Sequence, residues 1–417
     1  MSTRIPYTFR PVSTKPGVKH LSAKELLFLA IRASRKILPN RLTSALSERL
    51  RQLRREKGEF STDLSPIEGM MVESVEKAPA NESAIVSILM ASFSAAKQRQ
   101  SEISRLYLPG AEWKKILESQ WSRYYPAINR QDLDVVAAFL RNFFRNEGVS
   151  GFWDGDRTFD SFATLDGPAS LARASMMRRQ FEAWRTALPN VPVAELDAPR
   201  IGNPWGYILE GTLLYEAIFE YHYQANYFAT LLSGVSKPVI IEIGGGFGGL
   251  GYQIIKHIPH VKYIGFDLPE NVFLQSYYLS CAFPELKILT YDKSMAELTD
   301  DTIAPYDIIL LPNFMLPKVA SAIADLIVNV RSLSEMLVET INEYFRQIDR
   351  LSRLFFFHEN LFKDRHDGLH GIPSAEFPAL SNLIQVAESE SRWPTCQKDS
   401  GYPCHENLYI HRSALMR

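Results

Sequence analysis

The spacing of apolar residues changes character along the chain near residue 235. From about residue 84 up to that point, apolar residues recur at helical spacing in segments such as "ESAIVSILMASFSAAKQRQ", "DLDVVAAFLRNFFRNEG" and "PASLARASMMRRQFEAWRTAL". The aromatic and acidic segment at 150–162 predicts an ordered loop, and "EGTLLYEAIFEYHYQANYFATLLSG" predicts an amphipathic helix that ends at Gly234. This part of the chain is therefore predicted to be mainly helical.

After Pro238, short apolar runs alternate with helical segments, which is typical of a parallel sheet covered by helices. The runs "PVIIEI", "VKYIGFDLP", "LKILTYD" and "RLFFFHEN" predict strands. Two further runs, "YDIILLPNFML" and "ADLIVNVRSLSEM", compete for the place of the fourth strand. We favour the second as the neighbour of the first strand, because a helical segment follows it directly. The other run is then an extra strand or the third strand itself.

These patterns predict an α/β fold, in which a Rossmann-like sheet carries helices on both faces and follows a mostly α-helical N-terminal region. We expect a basic arm at 1–60, a mainly helical region at 61–235, and a ligand-binding domain at 236–417. The helical region would serve as a lid, a platform for the substrate or an oligomerisation surface. A chain of 417 residues, 46% of them hydrophobic, is long enough to bury the cores of two domains.

Cysteine usage and hydropathy favour a cytoplasmic protein. The three cysteines, Cys281, Cys396 and Cys404, are too few and too scattered for a disulfide framework, and no secretory signal precedes them. No apolar run approaches the roughly 20 residues that span a bilayer. We therefore expect a cytoplasmic protein that does not cross a membrane.

The charge is unevenly distributed. Residues 1–57 contain 14 Lys or Arg and three Glu, although the net charge of the whole chain is −1. A basic arm with an apolar stretch suits an anionic membrane surface, here the inner face of the membrane, or a phosphate-bearing partner. A solvated helical face, docking on an acidic patch of the same chain, and an organelle-targeting peptide are alternatives. Nucleic acid is not expected as a partner, because the basic residues are not interleaved with stacking aromatics.

The segment 237–258, "KPVIIEIGGGFGGLGYQIIKHI", predicts a strand, a glycine-rich turn and the start of a helix. In this unit, backbone amides at the N-terminus of a helix approach a nucleotide-like ligand. Gly244, Gly246 and Gly249 fit the G-x-G-x-x-G pattern of dinucleotide sites, whereas Gly244, Gly246 and Gly248 fit the G-x-G-x-G pattern of S-adenosylmethionine (SAM) methyltransferases. The glycines alone do not decide between the two.

Two acidic residues favour SAM. Glu242 lies near the end of an otherwise apolar strand, where a carboxylate is costly unless it has a partner such as the cationic amino group of SAM. Asp267 ends the next strand, 23 residues after Gly244, where it could accept hydrogen bonds from both ribose hydroxyls. Glu242 could instead pair within the protein, and Asp267 could cap the following helix. Asp292, at the end of the third strand, is a further candidate for contact with the adenine amino group.

The segments "IIEIGGGFGGLGYQI", "YIGFDLPE", "SYYLSCAFPE", "LIVNVRSLSEM" with "ETINEYFRQI", and "FFFHEN" resemble the sugar O-methyltransferase family found among bacterial surface-polysaccharide and glycan genes. The resemblance covers roughly residues 200–375. It implies methyl transfer from SAM to a hydroxyl of a sugar or glycan-linked intermediate. The cofactor-binding residues that we predict are Glu242, Gly244, Gly245, Gly246, Gly248, Asp267, Leu268, Asp292 and Asn329.

Methyl transfer to a hydroxyl requires in-line alignment with the sulfonium methyl and removal of the hydroxyl proton. His358, directly after the strand "LFFF", is the predicted base, and Glu335 is the second predicted catalytic residue. A structural role for His358 is the alternative. Ser332 could orient a ligand or cap a helix.

A divalent ion that ionises the acceptor is conceivable but is not predicted. The segment 358–378 clusters His358, His366 and His370 with three carboxylates, and the segment 396–412 contains two cysteines and two histidines. Neither spacing matches a zinc pattern, and a C-terminal strand pair explains the second segment.

The partners that we expect are the sugar or glycan acceptor and, as a homo-oligomer, further copies of the chain. A methyltransferase for a non-sugar natural product and a nicotinamide-dependent oxidoreductase remain open as alternative activities. A scaffold without activity, in which the basic arm binds a partner, is a third alternative.

Overall fold

The computed structural model of the protein describes residues 69–71, 78–79, 81–145, 168–215, 217–295, 297–362, 372–396 and 403–416. The predicted basic arm, the loop at 150–162 and the histidines His366 and His370 lie outside these residues.

Helices dominate the described part of the N-terminal region, as predicted. They are α1 (Glu82–Gln100), α2 (Ala111–Gln120), α3 (Tyr125–Asn129), α4 (Leu133–Arg141), α5 (Pro168–Ala187) and α6 (Ile218–Leu231). Three short strands form a small antiparallel sheet in the order β1 (Gly69–Met71), β2 (Gly206–Leu209) and β3 (Thr212–Leu214).

The helix predicted to end at Gly234 is shorter than expected. Glu210 and Gly211 both have positive φ, 50° and 75°, and they join β2 to β3 in a two-residue hairpin turn. Thr212–Leu214 are therefore paired as a strand, and helix α6 begins only at Ile218 and ends at Leu231. Leu213 and Leu214 fit the helical spacing of the later apolar residues only because strand β3 and helix α6 are both buried and follow each other closely.

The central sheet has eight strands, β4 (Val239–Ile243), β5 (Lys262–Asp267), β6 (Ile288–Thr290), β7 (Ile308–Pro312), β8 (Ala324–Val330), β9 (Ser352–Leu361), β10 (Leu383–Glu390) and β11 (Cys404–His411). Their order across the sheet is β10-β11-β9-β8-β4-β5-β7-β6. Strand β11 is antiparallel to both of its neighbours, and the other pairs are parallel. The connecting helices include α7 (Gly249–His257), α8 (Pro269–Ala282), α9 (Asp300–Ile303) and α10 (Val338–Leu351).

Helices cover both faces of this sheet. Successive side chains of a strand point to opposite faces, so Ile240 joins one core with α6, α7 and α8, whereas Ile241 and Ile243 join a second core with α10. The predicted α/β fold with helices on both faces is thereby confirmed.

The order of the strands corrects one expectation and confirms another. Strand β8 is the parallel neighbour of β4, as favoured from the sequence. The competing run forms β7, which lies beside β5 and displaces β6 to the edge of the sheet. It is therefore an extra strand between the second and third predicted strands.

The helical region and the sheet share one core. Residues of α1 and α4, among them Met90 and Phe139, belong to the same buried cluster as Ile240 of the sheet. Buried Glu270 at the start of α8 accepts a hydrogen bond from Tyr125 Oη at 2.7 Å and pairs with Lys97 Nζ at 2.8 Å. The expected division at residue 235 is therefore not marked by a break in packing.

Among the described residues, the helices are too short or too polar to cross a bilayer.

Candidate functional site

A cavity of about 460 Å³ opens at the carboxyl ends of β4, β5 and β8. Strand β4 lies at the point where the chain switches direction, because β5 continues on one side of it and β8 on the other. Ligands of open α/β sheets bind at such switch points. One wall of the cavity comes from residues 106–113 of the helical region.

The first three glycines after β4 line this cavity. Gly244 and Gly246 have φ values of 77° and 58°, which side chains rarely adopt. A Cβ on Gly244 would lie 2.1 Å from Ser332 Oγ, so the loop approaches the segment after β8 as closely as a bare backbone allows. Gly245 lines the cavity beside them.

Gly248 has a different place from the one predicted. It is the N-cap of α7, with φ of 97°, and a Cβ there would point at Gln275 and Leu279 of α8. Gly248 does not line the cavity. It turns the chain into the helix, and the structure does not bring it to the cavity together with Gly244, Gly245 and Gly246.

Asp267 lies at the end of β5 with its carboxylate directed to the glycine loop. One oxygen accepts a hydrogen bond from Gly246 N at 2.9 Å, and the other accepts from Leu268 N at 2.7 Å and from Asn271 Nδ2 at 2.9 Å. Burial raises the pKa of Asp267 to about 6, although these three hydrogen bonds lower it. Asp267, Leu268 and Asn271 all line the cavity.

Glu242 lies near the carboxyl end of strand β4, where it lines the cavity and is 3% exposed. Its Oε2 accepts a short hydrogen bond from Tyr263 Oη. Burial raises the pKa of Glu242 to about 7; the bond from Tyr263 lowers it and the charge of Asp267 raises it. Two carboxylates from adjacent strands thus face one cavity with a raised cost of ionisation.

The extra strand β7 removes Asp292 from the site. Asp292 follows the edge strand β6, is fully exposed, and accepts hydrogen bonds from the backbone and the hydroxyl of Ser294. Asn313, at the end of β7, lines the cavity instead and donates to Tyr344 Oη at 3.0 Å. The structure therefore does not bring Asp292, the predicted adenine contact, to the cavity. In the sequence, Asn313 directly follows the apolar run "IILLP", and a polar residue at that place is the signal that could have identified it.

Asn329 is buried behind the cavity and does not line it. Its Nδ2 donates to Ile243 O at 2.8 Å and to Ser332 Oγ at 2.5 Å, and its Oδ1 accepts from Asn360 Nδ2 at 2.8 Å. The side chain joins the ends of β4, β8 and β9. The structure thus places Asn329, a predicted cofactor contact, behind the cavity in a structural role.

His358 is not at the cavity either. It is 1% exposed, and its ring packs between Phe356, Phe377 and Tyr409 at centroid distances of 5.3 to 5.8 Å. Burial lowers the pKa of His358 to about 3, so the ring is neutral. The structure therefore does not bring His358, predicted as the base, to the cavity that Glu242, Asp267 and Glu335 line.

Glu335 does line the cavity. It lies in a short 3-10 turn, Leu333–Glu335, between β8 and α10, and its Oε2 accepts a hydrogen bond from Trp113 Nε1 at 3.1 Å. Trp113 belongs to α2, so the helical region contributes directly to this cavity. Ser332 also lines the cavity, and its side chain makes no capping bond to the turn.

Part of the cavity is lined by polar side chains. Its lining includes side chains from helices α5 and α6, from the residue after β8 and from the segment before β11, namely Arg173, Gln180, Glu220, Tyr221, Arg331 and Thr395.

Arg331 is fixed at the base of this polar part. It has a left-handed φ of 61°, and its guanidinium donates to Glu220 Oε1. The side chain of Glu220 is 4% exposed. Arg331 Nε also lies 4.0 Å from Glu359 Oε1. Glu359 in turn accepts hydrogen bonds from Gln224 and Ser391. A charged residue held in a strained backbone conformation by buried partners is characteristic of functional sites.

Two groups in the described part of the chain bring potential metal ligands within 4.8 Å of one another, Glu195 with His222 and His257, and Glu359 with Cys396 and Cys404. Trp184 Nε1 donates to His222 Nδ1 at 3.1 Å, which leaves the proton of the neutral ring on Nε2. In the second group, Arg331 already supplies a positive charge to Glu359. Neither group lines the cavity.

The chain matches no protein-family model and no curated protein. Similar solved structures include the N-methyltransferase NodS from Bradyrhizobium japonicum WM9 in complex with S-adenosyl-L-homocysteine, at 13% identity over 46% of this chain and 86% of that chain, with a TM-score of 0.33. The mitomycin 7-O-methyltransferase MmcR is 13% identical over 61% of this chain and 66% of that chain, with a TM-score of 0.32.

A third similar structure is the magnesium protoporphyrin IX methyltransferase ChlM from Synechocystis PCC 6803 with bound S-adenosyl-L-homocysteine. It is 9% identical over 58% of this chain and 98% of that chain, with a TM-score of 0.32. Identities and TM-scores this low carry no argument about the activity of this chain.

Proposed function

We propose that this protein is a SAM-dependent O-methyltransferase acting on a hydroxyl of a sugar or glycan-linked intermediate. The observation that carries the proposal is the pair of carboxylates, Glu242 and Asp267, that flank the Gly244–Gly246 loop in one cavity at the switch point of the sheet. SAM supplies the sulfonium methyl group when it is bound.

The chain's own residues bind and orient the donor in this proposal. Glu242 pairs with the amino group of the methionine part, and Asp267 accepts hydrogen bonds from the ribose hydroxyls. Leu268, Asn271 and Asn313 line the same side of the cavity and are suited to the adenosine part. The backbone of Gly244–Gly246 leaves room for the ligand to approach.

Glu335 is the residue that we assign as the general base. It lines the cavity, and the N–H of Trp113 in helix α2 fixes its orientation. A carboxylate there can accept the hydroxyl proton as the acceptor oxygen attacks the methyl group. The polar part of the cavity, with Glu220, Arg331 and Gln180, offers both donors and acceptors to a polyhydroxylated molecule.

Calorimetry with SAM and with NAD tests the cofactor. We expect SAM to bind and NAD not to bind, and we expect Asp267→Ala to weaken SAM binding while the protein stays folded by circular dichroism. Binding of NAD in preference to SAM would instead support an oxidoreductase. Absence of binding to both would overturn the enzymatic proposal.

The acceptor class is tested by incubating the protein with isotopically labelled SAM and a panel of nucleotide sugars, lipid-linked saccharides and phenolic compounds. Mass spectrometry should find the label in a saccharide. Label confined to the phenolic compounds would replace the sugar proposal by a natural-product methyltransferase.

A further inference from the structure

We propose that Tyr263 is a positioning residue for the cofactor: it holds Glu242 ionised and correctly oriented for the amino group of SAM. The inference rests on the proposed function and concerns the layer of residues behind the cavity. Tyr263 does not line the cavity, and its proposed effect passes through Glu242.

A continuous chain of hydrogen bonds leads from helix α8 to the cavity. Gln275 Nε2 donates to Tyr263 Oη at 2.8 Å, and Tyr263 Oη donates to Glu242 Oε2. Tyr263 and Gln275 are fully buried, and Glu242 is 3% exposed. The phenol therefore donates its one O–H to the carboxylate and accepts a hydrogen bond from the amide N–H, which fixes the direction of both bonds.

Glycines surround the hydrogen-bonded side chains of Tyr263 and Gln275. A Cβ on Gly251 of α7 would lie 2.6 Å from the Tyr263 ring, and a Cβ on Gly265 of β5 would lie 2.8 Å from Gln275 Oε1. A Cβ on Gly245 would lie 2.5 Å from Gln275 Nε2. Glycines on three different elements thus make room for these side chains. The later part of the glycine-rich segment therefore makes room for the Tyr263 ring as well as for a ligand.

The ionisation of Glu242 shows what these hydrogen bonds contribute. Burial disfavours the charged form of Glu242, and so does the charge of Asp267, whereas the O–H of Tyr263 favours it. A carboxylate that must pair with an ammonium group binds it only when ionised. Tyr263 counteracts the cost of burial at the one residue where the proposed cofactor needs a negative charge.

The other titratable groups that face Glu242 do not take over this role. Asp267 from β5 carries the same sign of charge and opposes ionisation. Tyr221 from α6 stays neutral, because burial raises its pKa far above the physiological range. Among these neighbours, Tyr263 is the one whose hydrogen bond stabilises the carboxylate.

The test compares Tyr263→Phe with wild type by calorimetry between pH 5.5 and 8.5, using SAM and 5′-methylthioadenosine as probes. Methylthioadenosine has the ribose and adenine but lacks the amino group. Tyr263→Phe should weaken SAM binding at pH 7 by about tenfold, as expected for a lost hydrogen bond to a charged group. The pH at which SAM affinity rises should move upward, and the affinity for methylthioadenosine should not change.

Tyr277→Phe is the matched control. Tyr277 is also a buried tyrosine, and it donates to a glutamate, Glu82 Oε1, at 2.9 Å, but neither residue lines the cavity. This variant should keep the wild-type pH profile. If Tyr263→Phe fails to fold, Gln275→Met interrupts the same chain and should shift the pH profile in the same direction.

An unchanged pH profile in the folded Tyr263→Phe or Gln275→Met variant would overturn the inference. Equal loss of affinity for both probes would also overturn it, because it would indicate general damage to the cavity. Failure of the wild-type protein to bind SAM would count against the proposed function, which is a separate outcome.

Discussion

At the scale of single residues, the bond between Trp113 and Glu335 joins the two regions of the chain at the cavity. Residues 106–113 form a wall that the sheet domain does not supply, and Glu335 lies at the start of the connection into α10. The proposed base is thus oriented by a residue more than 200 positions earlier in the sequence.

Glu335→Gln tests this assignment. The amide keeps the shape of the side chain but cannot accept the hydroxyl proton, so kcat should fall by about 100-fold or more, while the KM for SAM changes little. Glu339→Gln, at an exposed position of α10, is the control. Turnover near the wild-type value in Glu335→Gln would exclude Glu335 as the base.

His358 gives the opposite expectation. Because it lies outside the cavity, His358→Leu should leave kcat within about threefold of wild type in the folded protein. Its pKa is about 3 in the folded protein and 6.5 for an ordinary histidine, so the unfolded chain binds the proton first as the pH falls. The stability that neutral, buried His358 contributes to the wild type should therefore be lost as the pH falls from about 6.5 towards 3.

Leu at this position takes up no proton, so the free energy of unfolding of His358→Leu should fall less over the same interval. Urea denaturation at each pH measures the difference. Parallel pH dependences for the two proteins would show that His358 is not buried in its neutral form.

At the scale of elements, helix α7 contains a glycine where helix propensity alone would favour alanine. Gly→Ala inside a helix normally stabilises it by about 0.5–1 kcal/mol. At Gly251 the added Cβ would lie 2.6 Å from the ring of Tyr263. Packing should therefore outweigh propensity.

We expect Gly251→Ala to destabilise the protein by about 1–3 kcal/mol, as overpacked cores do. Gly234→Ala is the matched control, because a Cβ there meets no atom within 4 Å. Thermal unfolding should show a lower Tm for the first variant and little change for the second. A Tm for Gly251→Ala equal to that of the control would contradict the close packing.

The elements also show what the sequence could predict. The apolar runs of β4, β5, β8 and β9 were readable because strands buried on both faces leave continuous hydrophobic segments. The places of β6 and β7 were not readable, since both runs are apolar and only tertiary packing decides which of them lies beside β5. The position of Asp292, after the edge strand and away from the cavity, follows directly from that ambiguity.

The site was predictable to the same extent. Glu242, Asp267 and the first glycines stood out because they interrupt or end apolar strands. Asn329 and His358 follow the same kind of rule, a polar residue at or near a strand end, yet their side chains point to neighbouring strands. The sequence alone does not distinguish a polar residue that meets a ligand from one that ties strands together.

At the scale of the whole molecule, the 14 Lys or Arg residues of segment 1–57, against three Glu, predict binding to an anionic membrane surface. The full chain should sediment with vesicles that contain phosphatidylglycerol, and deletion of residues 1–57 should reduce this binding severalfold, because the attraction is electrostatic. Raising the salt concentration should weaken binding of the full chain. Vesicles of phosphatidylcholine alone are the control.

Equal binding of the truncated and full-length proteins would remove the arm as a membrane contact. The proposed activity would be unaffected, since the cavity residues lie in 106–395.

The position of Trp113 has a practical consequence. Among the tryptophans that the structure describes, Trp113 is the one that lines the cavity. The other described tryptophans are buried in the core and at most 5% exposed. Its indole N–H is already engaged by Glu335, so occupation of the cavity would alter the polarity around this fluorophore. Intrinsic emission can therefore report ligand binding without any label, and Trp113→Phe should abolish the signal while the emission of the buried tryptophans persists.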